Sequence, residues 1–280
     1  MFSFQKRVRK EMALNIDNET NYDEYLKPIN FIATSNDHQQ GSLIFFDKYD
    51  VLYTAYSNDY RDKNLQLPFI STRKLHDKGF YYARHKGNEC SRIKLKSELD
   101  YTFKFITGFS YDNFAYFLFM ESYNSYALKN ELRLGRICEN HHTPLLSYME
   151  IRLKCNEFNS TSSAHLSIAL IGNEYDGFKL NLSSQDAKLL IGFNNDANES
   201  IVCEFSMSQI HEHFLDGFSR CTQTGRGTLI PKLYNNTVVY CREAYDNLDE
   251  KQCPYSSYNR YIDFDHPLDG EPLIYIEKGL

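Results

Sequence analysis

A chain of 280 residues with 42% hydrophobic residues is long enough to bury one sizeable core or two smaller ones. Its formal net charge of -6 argues against a nucleic-acid footprint, and the basic cluster Lys6, Arg7, Arg9 and Lys10 reads as a solvated tail or strand end. No apolar run approaches 18 residues, so this segment is not expected to insert into a membrane.

From the N terminus, residues 1–25 offer neither an apolar h-region nor a small-residue cleavage site. Short apolar runs between polar turns then predict strands at 30–34, 42–46, 51–56, 80–84, 101–109 and 114–120. Others follow at 132–138, 146–153, 165–171, 189–193, 201–205 and 273–276. Aromatics make up 15% of the chain, all Tyr and Phe, which favour strands. Many short strands at fairly regular spacing predict an all-β sandwich, barrel or propeller, and the pattern does not choose among them. One helix is predicted over 207–216, with Ser206 as N-cap, Gln209 completing a capping box and Gly217 as the stop. Met207, Ile210 and Phe214 fall on one face of it and are expected to pack on a sheet.

The seven cysteines include no C-x-x-C pair suited to zinc or redox chemistry, so disulfides are the better reading. Six cysteines already permit 15 pairings, and the residues alone leave the connectivity open. Five Asn-x-Ser/Thr sequons, at Asn18, Asn159, Asn181, Asn198 and Asn235, are candidate glycosylation sites that point to the same oxidising, extracellular context. No catalytic residue, metal site or cofactor is expected. His211 and His213 lie two apart on the predicted helix, which sends their imidazoles to different faces; both are expected on a solvated surface, as are His141 and His142 in a loop. The acidic groups Asp246, Asp249, Glu250 and Asp263, Asp265 could mimic a glycosidase carboxylate set, but nothing in their spacing argues for one. Gly225-Arg226-Gly227 reads as a turn, and no nucleophile-elbow or zinc-helix motif is present.

The most informative stretch is 132–155, where two cysteines flank strand-like runs. Arg136-Ile137-Cys138, then Ser147-Tyr148-Met149-Glu150, then Leu153-Lys154-Cys155 resemble the Sema signature, with Arg152 where a proline is often found. Further blocks resemble the plexin family of semaphorin receptors: 67–75, running from Leu67-Pro68-Phe69 to Lys74-Leu75; Gly108-Phe109-Ser110 with Phe114-Ala115-Tyr116-Phe117-Leu118; and Arg220-Cys221-Thr222-Gln223 leading into Gly225. These blocks keep one order from about residue 30 to about residue 270.

That resemblance implies a partial Sema-type β-propeller spanning 1–280, seven-bladed in the family and roughly four blades here, with one short helix. It also implies the bridges Cys138–Cys253, Cys155–Cys203 and Cys221–Cys241, leaving Cys90 over. Arg136 and Glu150 are then structural, their charges supporting the local blade. An open propeller would expose the edges of its first and last blades, which implies that the chain is part of a longer extracellular or membrane-anchored protein lacking its N-terminal blades and downstream PSI, transmembrane and cytoplasmic regions here. The implied function is non-enzymatic recognition of a semaphorin-type protein at the cell surface, with homo- or hetero-association with other Sema receptors. Within the same class, a secreted semaphorin-like ligand or a Met-type receptor is the alternative; a propeller hydrolase is the alternative from another class.

Overall fold

The computed structural model describes residues 42–56, 68–76, 79–82, 92–94, 101–123, 129–139, 147–155, 168–171, 187–194, 200–224, 227–229, 238–239 and 262–276. They form three sheets and one helix. The first sheet is built from β1 (Ser42–Phe46), β2 (Val51–Tyr56), β3 (Pro68–His76), β4 (Gly79–Tyr82) and β5 (Arg92–Lys94), with β5 pairing on β3. The second begins with four consecutive antiparallel strands, β6 (Tyr101–Tyr111), β7 (Phe114–Tyr123), β8 (Lys129–Cys138) and β9 (Met149–Lys154). The third orders β10 (Ile168–Ile171), β11 (Lys188–Asn194), β12 (Ser200–Ser206) and β16 (Glu271–Ile276).

Between β12 and β16 the chain leaves the third sheet. Helix α1 (Met207–Thr224) is followed by β13 (Gly227–Leu229), β14 (Val238–Val239) and β15 (Ile262–Asp269). β15 pairs in parallel with β9, and β13 and β14 extend the second sheet to seven strands. The chain then turns at Gly270, whose N–H donates to the Lys154 carbonyl at 2.8 Å, and returns to the third sheet as β16. One excursion therefore ties the second sheet to the third.

Period-2 alternation explains how the second sheet serves two cores. On β7, Phe114, Tyr116, Leu118 and Met120 face the third sheet and α1, meeting Leu189, Ile191, Phe193, Cys203, Phe205, Ile210 and Phe214. The intervening Ala115, Phe117 and Phe119 face the first sheet, where Leu43, Tyr53, Ala55 and Ile70 lie. A strand buried on both faces reads as an unbroken apolar run, as FAYFLFM does. Phe45 stacks on Tyr53 with centroids 5.1 Å apart and meets Phe117 edge-on at 5.3 Å, so aromatic contacts close the first seam. The β6–β7 hairpin turns on Asp112 and Asn113 at φ 45° and 67°, the left-handed pair that a two-residue type I′ loop requires.

The arrangement is mostly antiparallel β, as expected, and several boundaries differ. β9 begins at Met149 and not at 146, while β3, β5 and β13 to β15 carry no strand expectation. The strand expected at 30–34 lies outside the described residues. Helix α1 runs on to Thr224 through Gly217, correcting the expected stop there. The reason is packing: the stripe Met207, Ile210, Phe214 continues to Phe218, which is buried in the same core, and that burial outweighs the helix penalty of one glycine. At the other end, Met207 N–H donates to the Ala187 carbonyl at 2.9 Å, and Ser206 Oγ lies 2.7 Å from Ser208 Oγ.

Candidate functional site

Arg136 and Glu150 lie on adjacent strands but on opposite faces of the second sheet. β8 and β9 pair Gly135 with Glu150 and Arg136 with Met149, so Glu150 shares the face of Gly135 and not that of Arg136. Each residue therefore organises a different seam.

Arg136 points into the seam with the third sheet and is 1% exposed. Its guanidinium lies between two rings, 4.3 Å from the Phe114 centroid and 4.2 Å from that of Phe214 on α1. Nη1 stands 3.2 Å from His211 Nδ1, and the His211 ring packs at 5.4 Å on Phe114. A guanidinium only donates, so His211 Nδ1 is the acceptor in this contact. Burial draws the Arg136 pKa down to about 10, with the neighbouring Tyr116 acting the other way; burial pushes Tyr116 up to about 12, which Arg136 opposes. At neutral pH the pair is thus a cation beside a phenol. His211 is half-buried, which corrects the expectation of a solvated helix face: it sits one residue after Ile210 on the stripe that packs against the sheet. His213 is also part-buried, and Glu212 between them is exposed.

Glu150, fully buried, belongs to a carboxylate and arginine network on the other face. Tyr148 donates its hydroxyl to Glu150 Oε1 at 2.6 Å. Burial, then the Glu150 charge, holds the Tyr148 phenol well above its usual value. Arg133 is the hub: Nη2 lies 2.7 Å from Glu131, Nε 3.5 Å from Glu121 and Nη1 3.9 Å from Glu150. Arg152 sits directly across from Arg133, an unfavourable like-charge register, and Glu131 relieves it by also reaching Arg152 at 3.6 Å. The position where the Sema signature often carries proline is thus used here as a charged member of the network. Arg133 carried no expectation, yet its spacing of three from Arg136 on a strand already puts the two arginines on opposite faces.

Of the described cysteines, Cys138 and Cys155 fall at strand ends and Cys203 lies within β12. Cys155, immediately after β9, is disulfide-bonded to Cys203 on β12, with Cα atoms 6.1 Å apart, so the bond crosses from the second sheet to the third. Cys138 closes β8 and is also disulfide-bonded. Cys221 lies within α1. Cys90, Cys241 and Cys253 lie outside the described residues, as do Asn18, Asn159, Asn181, Asn198 and Asn235, the acidic group at Asp246, Asp249 and Glu250, and His141 and His142. Asp263 and Asp265 lie on β15, where Asp263 is in register with Glu150. Among the described residues, no three His, Cys, Asp or Glu side chains gather as a metal site, and no helix is long and apolar enough to cross a membrane.

Comparison with known proteins gives these seams a context. No family model matches the chain. It is 27% identical over 237 residues to Plexin-A4 of Danio rerio and 27% identical over 242 residues to Plexin-A4 of Mus musculus, covering 73% and 76% of this chain. Plexin-2 of Caenorhabditis elegans is 26% identical over 196 residues, or 69% of the chain. The solved extracellular region of Plexin A4 superposes with a TM-score of 0.66 over 85% of this chain, at 23% identity. The chain is plexin-like, with a Sema-type fold. The three sheets are accordingly blades of a partial propeller. This plexin-like chain spans 10–12% of the length of those curated relatives and 28% of the solved extracellular chain.

Proposed function

We propose that this chain is a non-enzymatic recognition module of a plexin-like receptor, binding a semaphorin-type protein on the extracellular side of the plasma membrane as part of a longer polypeptide. The observation that carries this reading is the likeness to plexins in sequence over about three quarters of the chain, joined to the fold of a plexin extracellular region. Physically, blades joined by a disulfide, a parallel strand pair and buried charge form a stiff base, and the loops around such a base are where a protein partner is met. The bridges Cys138–Cys253 and Cys221–Cys241, glycans on the five sequons, and association with other Sema receptors belong to the same proposal.

The test is direct binding. The full chain, produced through a secretory pathway, is immobilised and exposed to a recombinant dimeric semaphorin Sema domain. Saturable binding that is lost on heat denaturation supports the reading. A folded chain, with its bridges verified by non-reducing peptide mapping, that ignores a panel of semaphorins would sink it.

A further inference from the structure

The turn between β1 and β2 meets the turn between β6 and β7 at the seam of the first two blades. Lys48 Nζ donates to Asn113 Oδ1 at 2.6 Å, Tyr49 Oη lies 3.5 Å from the same atom, and the Glu139 N–H donates to the Asn113 carbonyl at 2.8 Å. Two carboxyl groups from different blades lie here, Asp47 at 6% exposure and Glu139 at 1%. Asp47 is supplied with donors: Oδ1 accepts from Tyr49 N–H at 2.8 Å and Val51 N–H at 2.9 Å, and Oδ2 accepts from Tyr53 Oη at 3.1 Å. Glu139 is poorly supplied: neither Oε1 nor Oε2 makes a well-formed hydrogen bond among the described residues, and the Ser110 hydroxyl is the neighbouring donor that favours its charged form.

A buried carboxylate short of donors is costly, and a like charge nearby adds to the cost. Burial is the main force raising the Glu139 pKa above its ordinary value; the Asp47 charge adds to it, while the nearby Ser110 hydroxyl and Lys48 ammonium offset part. Tyr53 feels both carboxylates and is held well above the usual phenol range, chiefly by burial, so it remains a neutral donor to Asp47. Lys48 already brings a cation to the seam, which leaves protonation of Glu139 as the route to relief.

We propose that this seam is a proton-operated joint: acid converts Glu139 into a neutral carboxylic acid that the buried site accommodates, and the first two blades then hold together more firmly than at neutral pH. The direction follows from linkage. A carboxyl whose native pKa is raised keeps its proton longer in the folded state, so its contribution is complete below the ordinary value of 4.5 and is lost as pH rises through the native value.

Melting of the full chain and of Glu139→Gln at pH 7.5, 6.0 and 4.5 tests this. The glutamine copies the neutral acid, so the variant melts higher than wild type at pH 7.5, by about 2–4 °C, and the gap closes as pH falls. A variant no more stable at pH 7.5, or a gap independent of pH, overturns the joint. Amide exchange of the unaltered chain is the second readout. After correction for the intrinsic pH dependence of exchange, segments 42–56 and 101–123 gain protection at pH 4.5 over pH 7.5; equal protection overturns the proposal even if the variant does not fold.

Discussion

Arg136 on β8 and His211 on α1 meet inside the protein, with Nη1 3.2 Å from Nδ1, and this contact fixes where the helix lies on the second blade. The arginine is also enclosed by Phe114 from its own sheet and Phe214 from the helix. Polar and aromatic contacts thus converge on one side chain, and the excursion from the third blade is anchored there.

Replacing Arg136 should therefore loosen the helix and not merely remove a charge. Arg136→Ala is expected to cost about 2–5 kcal/mol, in the range of large-to-small core changes. Arg136→Lys keeps the charge but not the planar surface that stacks on two rings, and should still lose about 1–2 kcal/mol through the weakened cation–π contacts. Urea unfolding of the two variants measures this; a Lys variant as stable as the parent would show that the sandwich contributes nothing beyond charge.

On the opposite face, Tyr148→Phe removes a donor that lies 2.6 Å from fully buried Glu150. A buried carboxylate deprived of a hydrogen bond costs about 1–3 kcal/mol, and the ring itself is unchanged, so the loss reports the hydroxyl. Adding Glu150→Gln to the Tyr148→Phe variant should recover part of it, because the amide buries more cheaply than the anion. Additive losses in the double variant would reject the direct link.

Much of this was legible beforehand, and the exceptions have physical causes. β1 and β2 match their expected limits, since short apolar runs between turns carry their own boundary signals. β3, PFISTRKLH, is half polar because its strand neighbours supply hydrogen-bonding partners, as Thr54 and Ser71 do at 2.6 Å, so its apolar pattern is weak. β15 carries a proline and three aspartates, and it is a strand because β9 pairs with it across a gap of more than a hundred residues, which no local pattern encodes. Arg136 and Glu150 were recognisable as a motif, but their separation onto two faces follows only once the β8–β9 register is known.

Gly108 offers a test of the first seam. A Cβ there would collide with the Phe45 ring edge and stand 2.7 Å from Leu43 Cδ2, and Phe45 cannot swing away freely because it is stacked on Tyr53 and set against Phe117. Gly108→Ala should cost about 1–3 kcal/mol as overpacking. In a Phe45→Leu background the same change should cost less, and thermal melts of the four chains give the coupling. Equal penalties in both backgrounds would mean that the two blades do not meet there.

The Cys155–Cys203 bridge closes a separation of 48 residues between two blades. On the chain-entropy account a loop of that size adds about 4 kcal/mol. A Cys155→Ser, Cys203→Ser double variant should melt well below the parent, and part of the difference should be matched by the parent after full reduction. No change in melting on loss of both thiols would place the cohesion of these blades in the β9–β15 pairing and the packed core alone.

Three buried phenols set the alkaline limit. Tyr53 and Tyr148 are held well above the usual value of 10.0, mainly by burial, and Tyr116 is pushed up to about 12. A raised native pKa means that the folded chain retains protons which the unfolded chain releases, so their stabilising contribution is complete below pH 10 and is lost as pH climbs past it. Arg136, drawn down to about 10 by burial, works in the opposite sense. Three phenols that keep their protons outnumber one arginine that holds its proton less firmly, so above pH 10 the folded chain binds more protons than the unfolded one and stability falls as pH rises. Urea midpoints should accordingly be flat through pH 8–9 and fall steeply beyond pH 10. Tyr116→Phe should make that fall shallower, and an unaltered slope would show that this phenol is not protected in the native state.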